Sequence, residues 1–250
     1  MLSAPSDEVM LPYGARGIFG RAYPQRIGQL GELYSCRPSM HNFPRQVNAG
    51  ENQDLYFATQ LAFEALQDAS MRIHAPFKYK GSVHVGYAPP FNASTMNWLQ
   101  HTAFLDQTLD ILGRFMRGAS VQAMETLREK LTDSLPKPDA ASFLLGAGYR
   151  FASWIARECS FSGSATVVDA GMLTGAAAIM QSLDDLRAGR VDVSVAGALN
   201  PPLSRPYLEG LAGEIEFSED HELMPYAKAP GGTIPGEGGA FFVLKRRSDA

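Results

Sequence analysis

Apolar residues first fall into a helical period at Leu55, Ala58, Leu61, Ala62, Ala65, Leu66 and Ala69, with Glu64, Gln67 and Asp68 on the other faces. This spacing predicts an amphipathic helix running from Asn52. At Gly81-Ser-Val-His-Val-Gly-Tyr87 the pattern changes to alternation with β-branched residues, and Pro89 and Pro90 end it, which predicts a short strand. Leu105, Leu109, Leu112 and Met116 predict a second helix. Val121, Met124, Leu127 and Leu131 predict a third, with Ser120 as its N-cap and Pro136-Lys-Pro138 closing it.

A strand over Ala165 to Val168, a glycine-punctuated turn, a helix over Gly175 to Ala188 and a strand over Val191 to Ala196 follow without a break. Such alternation predicts an α/β fold with a mostly parallel sheet and covering helices. Gly239-Ala-Phe-Phe-Val-Leu-Lys245 is apolar enough to be expected inside that sheet. Residues 1–50, rich in Gly, Pro and Tyr, hold no sustained period and read as an irregular lead-in to a domain over 51–250. No repeat or low-complexity tract interrupts the chain.

The 250 residues are 45% hydrophobic and only 19% charged, enough for a substantial core and for a surface shared with another chain. A net charge of −4, with Lys245-Arg-Arg247 as the only tight basic run, argues against nucleic acid as a partner. Cys36 and Cys159 are too few for a disulfide framework or a zinc site and fit a reducing cytosol. Met1 to Met10 lacks the apolar core of a signal peptide, and the most apolar stretch, Ala170 to Met180, is too short to span a bilayer. A cytoplasmic protein without a membrane partner is therefore expected. The acidic run from Glu214 to Glu222, which holds Phe217 and His221, reads as a solvated loop because no thiolate or paired-His spacing accompanies it.

Two glycine clusters invite a nucleotide reading and neither fits it. Gly146-Ala-Gly148 lacks a third glycine, and Gly231-Gly232 with Gly236-Glu-Gly-Gly239 precedes a strand where a dinucleotide fingerprint would follow one. The turn Asp169-Ala-Gly-Met-Leu-Thr-Gly175 joins a strand to a helix, an arrangement whose helix-start N–H groups stabilise developing negative charge. Every α/β protein contains many such turns, so this one identifies nothing alone.

Its surroundings are more specific. Val168-Asp-Ala-Gly-Met-Leu-Thr-Gly-Ala176 leads to Leu186-Arg-Ala-Gly189 and then Asp192-Val-Ser-Val-Ala-Gly197 without a gap. Pro225-Tyr-Ala227, Gly231-Gly-Thr-Ile-Pro-Gly-Glu-Gly-Gly-Ala240 and Phe242-Val-Leu-Lys-Arg246 follow, and Ala62-Phe-Glu-Ala-Leu-Gln-Asp-Ala69 lies upstream. In these runs the chain resembles the β-ketoacyl synthase family, the condensing enzymes of fatty-acid and polyketide synthesis. Their motifs read A-W-E-A-L-E-D-A, V-D-x-A-C-S-S-S-L, L-R-x-G, D-x-A-L-A-G-G, P-F-D-x-x-x-D-G-x-x-x-G-E-G-A-G and V-V-L-K-R. The resemblance covers most of residues 51–250, with a helical insertion over 98–138 most like synthases of the multidomain polyketide and polyunsaturated fatty-acid type. It implies a thiolase-like α/β fold, of which this chain supplies the N-terminal half, and an acyl carrier protein bearing phosphopantetheine as substrate partner, with no cofactor or metal of its own.

The departures bear on activity. Met172 stands where the resemblance puts the acyl-accepting Cys, and a thioether forms no thiolate, so no catalytic residue is assigned. Met172 is expected to be an apolar plug in an acyl pocket shaped by Asp169, Gly171 and Thr174 of the turn and by Gly236, Glu237 and Gly238 of the loop. Thr174 has no adjacent base, Cys159 precedes the strand and reads as a small buried hydrophobe, and Cys36 has no recognisable context. His41, His74, His84, His101 and His221 fall in no family motif and read as surface or structural residues. The two His that the resemblance implies for decarboxylation belong to a half beyond Ala250, and the family's first strand, V-G-x-G, has no counterpart. The expected function is a condensation-incompetent ketosynthase-like subunit or fragment that dimerises or pairs with a competent synthase. Two alternatives stay open: an acyltransferase or malonyl decarboxylase completed by a His-bearing half on another chain, and a docking scaffold for acyl carrier protein.

Overall fold

In chain order the described elements are β1 (Leu2–Ser3), β2 (Ile27–Gly28), α1 (Gln53–Asp68), β3 (Gly81–Gly86), α2 (Ala93–Leu99), a π-helical turn (Gln100–Phe104), α3 (Leu105–Phe115), α4 (Val121–Ser134), α5 (Arg150–Glu158), β4 (Ala165–Val168), a 3-10 turn (Gly171–Leu173), α6 (Thr174–Arg187), β5 (Val193–Asn200), α7 (Arg205–Glu214) and β6 (Gly238–Lys245). The computed structural model describes residues 2–3, 27–28, 53–73, 79–87, 93–116, 118–135, 137, 150–200, 203, 205–218, 226–228 and 231–249. They belong to two units: Met1–Arg37, Gln53–Pro90 and Gly148–Ala250 form one, and Pro38–Asn52 with Phe91–Ala147 the other. Most of the expected lead-in lies outside the described residues. Within it, β1 and β2 pair antiparallel.

The sheet of the first unit runs β4-β3-β5-β6. β3 pairs parallel with β4 on one side and with β5 on the other, in register from Gly81↔Val193 to Gly86↔Ala198. All six β3 residues are buried, as a central strand of a covered parallel sheet requires. Alternation along the strands gives this sheet two unlike faces. Val83, Val85 and Val195 lie on the face that α5 covers over β3 and β4 and α1 covers over β5 and β6. Leu55, Leu66, Phe151 and Ile155 of those helices are almost fully buried, each such side chain contributing roughly 1.5–3 kcal/mol. The opposite face, under α6, carries the small polar side chains Ser82, His84, Ser164, Thr166 and Ser194 instead.

That polar face is satisfied by α6 itself. Ser82 donates to Ser194 (2.9 Å) and Ser194 to Ser182 (2.8 Å), all three fully buried. Asp185 accepts from the Ser164 hydroxyl (2.6 Å), from His84 Nε2 (3.0 Å) and from Arg190 Nε (2.8 Å). Thr166 Oγ1 lies 2.7 Å from His84 Nδ1 and donates to Gln181 Oε1 (3.0 Å). The helix ends where Gly189, at φ +64°, closes the C-cap: its N–H bonds the Leu186 carbonyl at 3.1 Å. Arg246 and Lys80 then take the Leu186 and Gly189 carbonyls, at 3.1 and 2.9 Å.

Several expected boundaries shift. β5 starts at Val193, two residues late, because Asp192 N–H is held by the Lys80 carbonyl (2.7 Å) and Arg246 holds the Val191 carbonyl (2.7 Å), and it continues to Asn200. Among the described residues β6 has a strand on one side only. It pairs antiparallel with β5 as the edge strand of the described sheet, with Phe241 buried and Phe242 half exposed. α5 and α7 were not foreseen.

In the second unit, α2, the π-helical turn and α3 form an uninterrupted helical run from Ala93 to Phe115, well ahead of the start expected at Leu105. A π-turn inserts a residue into the helical repeat, so the apolar spacing resumes in phase only after it. Ser120 is the N-cap of α4, accepting from Ala123 N–H at 3.1 Å. Arg128 of α4 pairs with Asp106 of α3 at 2.7 Å, an exposed bridge of little energetic weight. The unit is wider than the expected 98–138 insertion and includes residues before α1. No described helix is long and apolar enough to cross a membrane.

Burial raises the Asp185 pKa, but hydrogen bonds from Ser164, Arg190 and His84 outweigh it and hold the carboxyl down at about 2. The unfolded chain titrates this group near 4, so the stabilisation is complete above about pH 4 and is lost as pH falls through 2. Asp185→Ala, which strands the buried His84, should cost on the order of 3 kcal/mol at pH 7 in urea unfolding. The gap between parent and variant should close as pH is lowered from about 4 towards 2.

Candidate functional site

At the end of β4 the chain turns on its own side chains. Asp169 accepts from Gly171 N–H (3.1 Å), Ala170 N–H donates to Thr174 Oγ1 (2.9 Å), and that hydroxyl donates to the Gly171 carbonyl (2.6 Å). Thr174 is buried, its single proton is committed to a backbone carbonyl, and none of its hydrogen-bond partners is a base. It holds the turn and is not poised as a nucleophile. A Cβ at Gly86 would stand 2.9 Å from Thr174 Cγ2, the Thr174 carbonyl and Ala198 Cβ. The first turn of α6 therefore rests directly on the ends of β3 and β5.

Met172 occupies the 3-10 turn between β4 and α6, as the sequence predicted, but it is no packed plug. Its side chain is 67% exposed at the edge of a cavity of about 340 Å³. Gly171, Thr174 and Gly175 of the turn form one wall, and the end of β5, α7 and residues 233–236 form the others. Asp169 supports the turn without lining the cavity.

The opposite wall carries two polar side chains that no motif singled out. Tyr207 of α7 donates to Asn200 Oδ1, and Asn200 Nδ2 donates to the Gly236 carbonyl at 2.5 Å. Burial pushes the Tyr207 phenol pKa up; the Asn200 bond opposes that shift and Glu214 adds to it. Asn200 closes a strand and Tyr207 follows a proline on a helix that escaped prediction, so nothing in their spacing marked them.

The glycine-rich loop works through backbone contacts. Gly232 has φ +101°, and a Cβ there would meet the Phe217 carbonyl at 2.6 Å, so only glycine fits. Gly28 N–H donates to the Pro235 carbonyl (2.9 Å) and Glu237 N–H to the Gly28 carbonyl (2.8 Å). The Glu237 carboxylate accepts from Leu203 N–H (3.0 Å), while Gly238 opens β6 opposite Asn200. Of the three loop residues expected at the pocket, Gly236 lines it, and Glu237 and Gly238 do not.

The other candidates lie apart. Cys159 follows α5 at the far end of β4 and is 1% exposed; burial, with Glu158 adding, pushes its thiol up to about 12, so it is no reactive thiolate. His84 is the buried partner of Asp185, a structural residue as expected. His101 sits in the second unit, in the π-turn. Cys36, His41, His74 and His221 lie outside the described residues. Among the described residues no group of three His, Cys, Asp or Glu side chains could hold a metal ion.

The mostly parallel sheet and its strand-turn-helix are those of the thiolase-like fold of ketosynthases. Residues 99–250 match the family model of the β-ketoacyl synthase N-terminal domain, and the chain belongs to that family. It is 34% identical over 105 residues to a putative polyketide beta-ketoacyl synthase 1 of Streptomyces virginiae, an alignment covering 40% of this chain and 25% of that relative. Its fold is that of the ketosynthase from module 6 of the bacillaene synthase of Bacillus subtilis 168, with a TM-score of 0.66 at 16% identity, covering 100% of this chain and 35% of that one. A type II polyketide synthase acyl-carrier protein in complex with its ketosynthase bound to the hexaketide, AntDE:AntF, gives a TM-score of 0.59 at 18% identity, covering 100% of this chain and 52% of that one. The alignment with the curated relative spans about a quarter of that protein's length.

Replacing Thr174 by Val keeps its shape and removes both hydroxyl bonds at the turn. The variant should lose about 1–2 kcal/mol of stability. Amide exchange should quicken at Ala170 while α6 keeps its protection.

Proposed function

We propose that the chain is a condensation-incompetent ketosynthase-like protein that receives acyl groups in the cavity beside Met172 and acts together with a ketosynthase-like partner. The observation that carries this reading is Met172 itself, a thioether at the mouth of the cavity on the turn where the family places its acyl-accepting thiol. A thioether can line an acyl site and cannot be acylated. No other side chain at the turn takes over: Thr174 is tied to backbone, and the Cys159 thiol is buried at the far end of β4.

A partner is supported by the outward face of α6. Leu173, Ala176 and Met180 follow one another at helical spacing, and Leu173 and Met180 are 69% and 57% exposed. Together with Met172 they make an apolar stripe continuous with the cavity mouth, suited to a complementary ketosynthase-like surface or a second copy. The pantetheine arm of an acyl carrier protein is the carrier proposed for the acyl group, in keeping with the named complex of the AntDE:AntF neighbour.

Intact-protein mass spectrometry after incubation with an acyl-loaded carrier protein should find no adduct on the parent chain. Met172→Cys should gain one acyl group, because the start of α6 favours a thiolate, and should still form no condensation product with a malonyl carrier. Acylation of the parent chain would sink the reading. Light scattering should report self-association of the chain without a partner.

A further inference from the structure

The polar wall of the cavity dictates the direction of its own hydrogen bonds. The Gly236 carbonyl can only accept, so the Asn200 amide presents Nδ2 to it and turns Oδ1 towards Tyr207. A carbonyl oxygen cannot donate, so the phenol O–H must. Among the described residues two capacities remain: the lone pairs of the Tyr207 oxygen and the second N–H of Asn200. Both residues line the cavity, among Leu199, Leu211, Ile215 and Ile234. The phenol keeps its proton at neutral pH because burial moves its pKa upward, so the arrangement persists under physiological conditions.

One acceptor and one donor side by side in an apolar hollow suit a group that both donates and accepts. A plain alkyl chain would cover both and satisfy neither, which is unfavourable. A ketone accepts from Asn200 and leaves the Tyr207 lone pairs uncovered. A hydroxyl does both, donating to the Tyr207 oxygen and accepting from the Asn200 N–H. We propose that Asn200 and Tyr207 are specificity-determining residues that make this cavity a site for hydroxylated acyl groups, in preference to alkyl or keto ones. The inference rests on the acyl reading of the cavity and adds the chemical class of the chain.

The test is calorimetric titration of the full chain with pantetheine amide analogues carrying butyryl, 3-oxobutyryl, 3-hydroxybutyryl or 4-hydroxybutyryl groups, which cannot transfer their acyl group. The better of the two hydroxylated ligands should bind about tenfold more tightly than butyryl. Tyr207→Phe, which keeps the ring, should reduce that preference to about twofold or less. Equal affinity of the parent for butyryl and for both hydroxylated ligands would overturn this inference alone and leave the acyl reading standing. Failure of all four ligands to bind would overturn the acyl reading and the inference with it.

Discussion

The arrangement depends first on how α6 is seated on a sheet face that is polar. A helix packed on small apolar residues could rotate or slide with little penalty; one that must satisfy buried hydroxyls, an imidazole and a carboxylate cannot. Asp185 is the centre of this constraint, because its carboxylate is hydrogen-bonded to Ser164 ahead of β4, His84 in β3 and Arg190 beyond the helix. A shift of α6 by one residue would break all three bonds and leave the buried His84 without its partner, at about 1–3 kcal/mol or more. The Ser82, Ser194 and Ser182 chain adds a second anchor on the same face. Buried polar contacts here fix position more than they add net stability.

With α6 seated, its N-terminal turn has one place to go. Gly86 lets the helix start descend onto the strand ends, and Thr174 ties the turn to itself through backbone groups. None of these contacts involves the side chain of residue 172, which projects outward. The turn is therefore self-supporting, and its hydrogen bonds do not depend on which side chain stands at position 172.

The elements nearest this constraint were also the most legible in the sequence. β4 was foreseen with its boundaries, α6 to within a residue, and the cap at Gly189 belongs to a run that already marked the helix end. What escaped were features whose signals are tertiary. The π-turn put α2 out of phase with the periodicity that revealed α3, and the apolar run of β6 could not disclose that its strand borders the described sheet on one side only. Met172 was placed on the correct turn, but its exposure depends on where α7 and residues 233–236 lie, and no local pattern encodes that.

The cavity shows why a motif-led reading finds one wall and misses the other. Its first wall is built from short-range contacts within Asp169 to Gly175, which constrain residue type strongly and so leave a recognisable string. Its second is assembled from the end of β5, one side of α7 and a loop more than thirty residues from Asn200, joined by side-chain hydrogen bonds. Contacts over such separations can be met by many residue types, so the string carries little of them. The two walls consequently differ in what they can vary. The turn is confined by its own backbone, whereas Asn200 and Tyr207 hold their side of the cavity through side chains alone. The second wall can therefore vary what the cavity accepts while the turn stays unchanged.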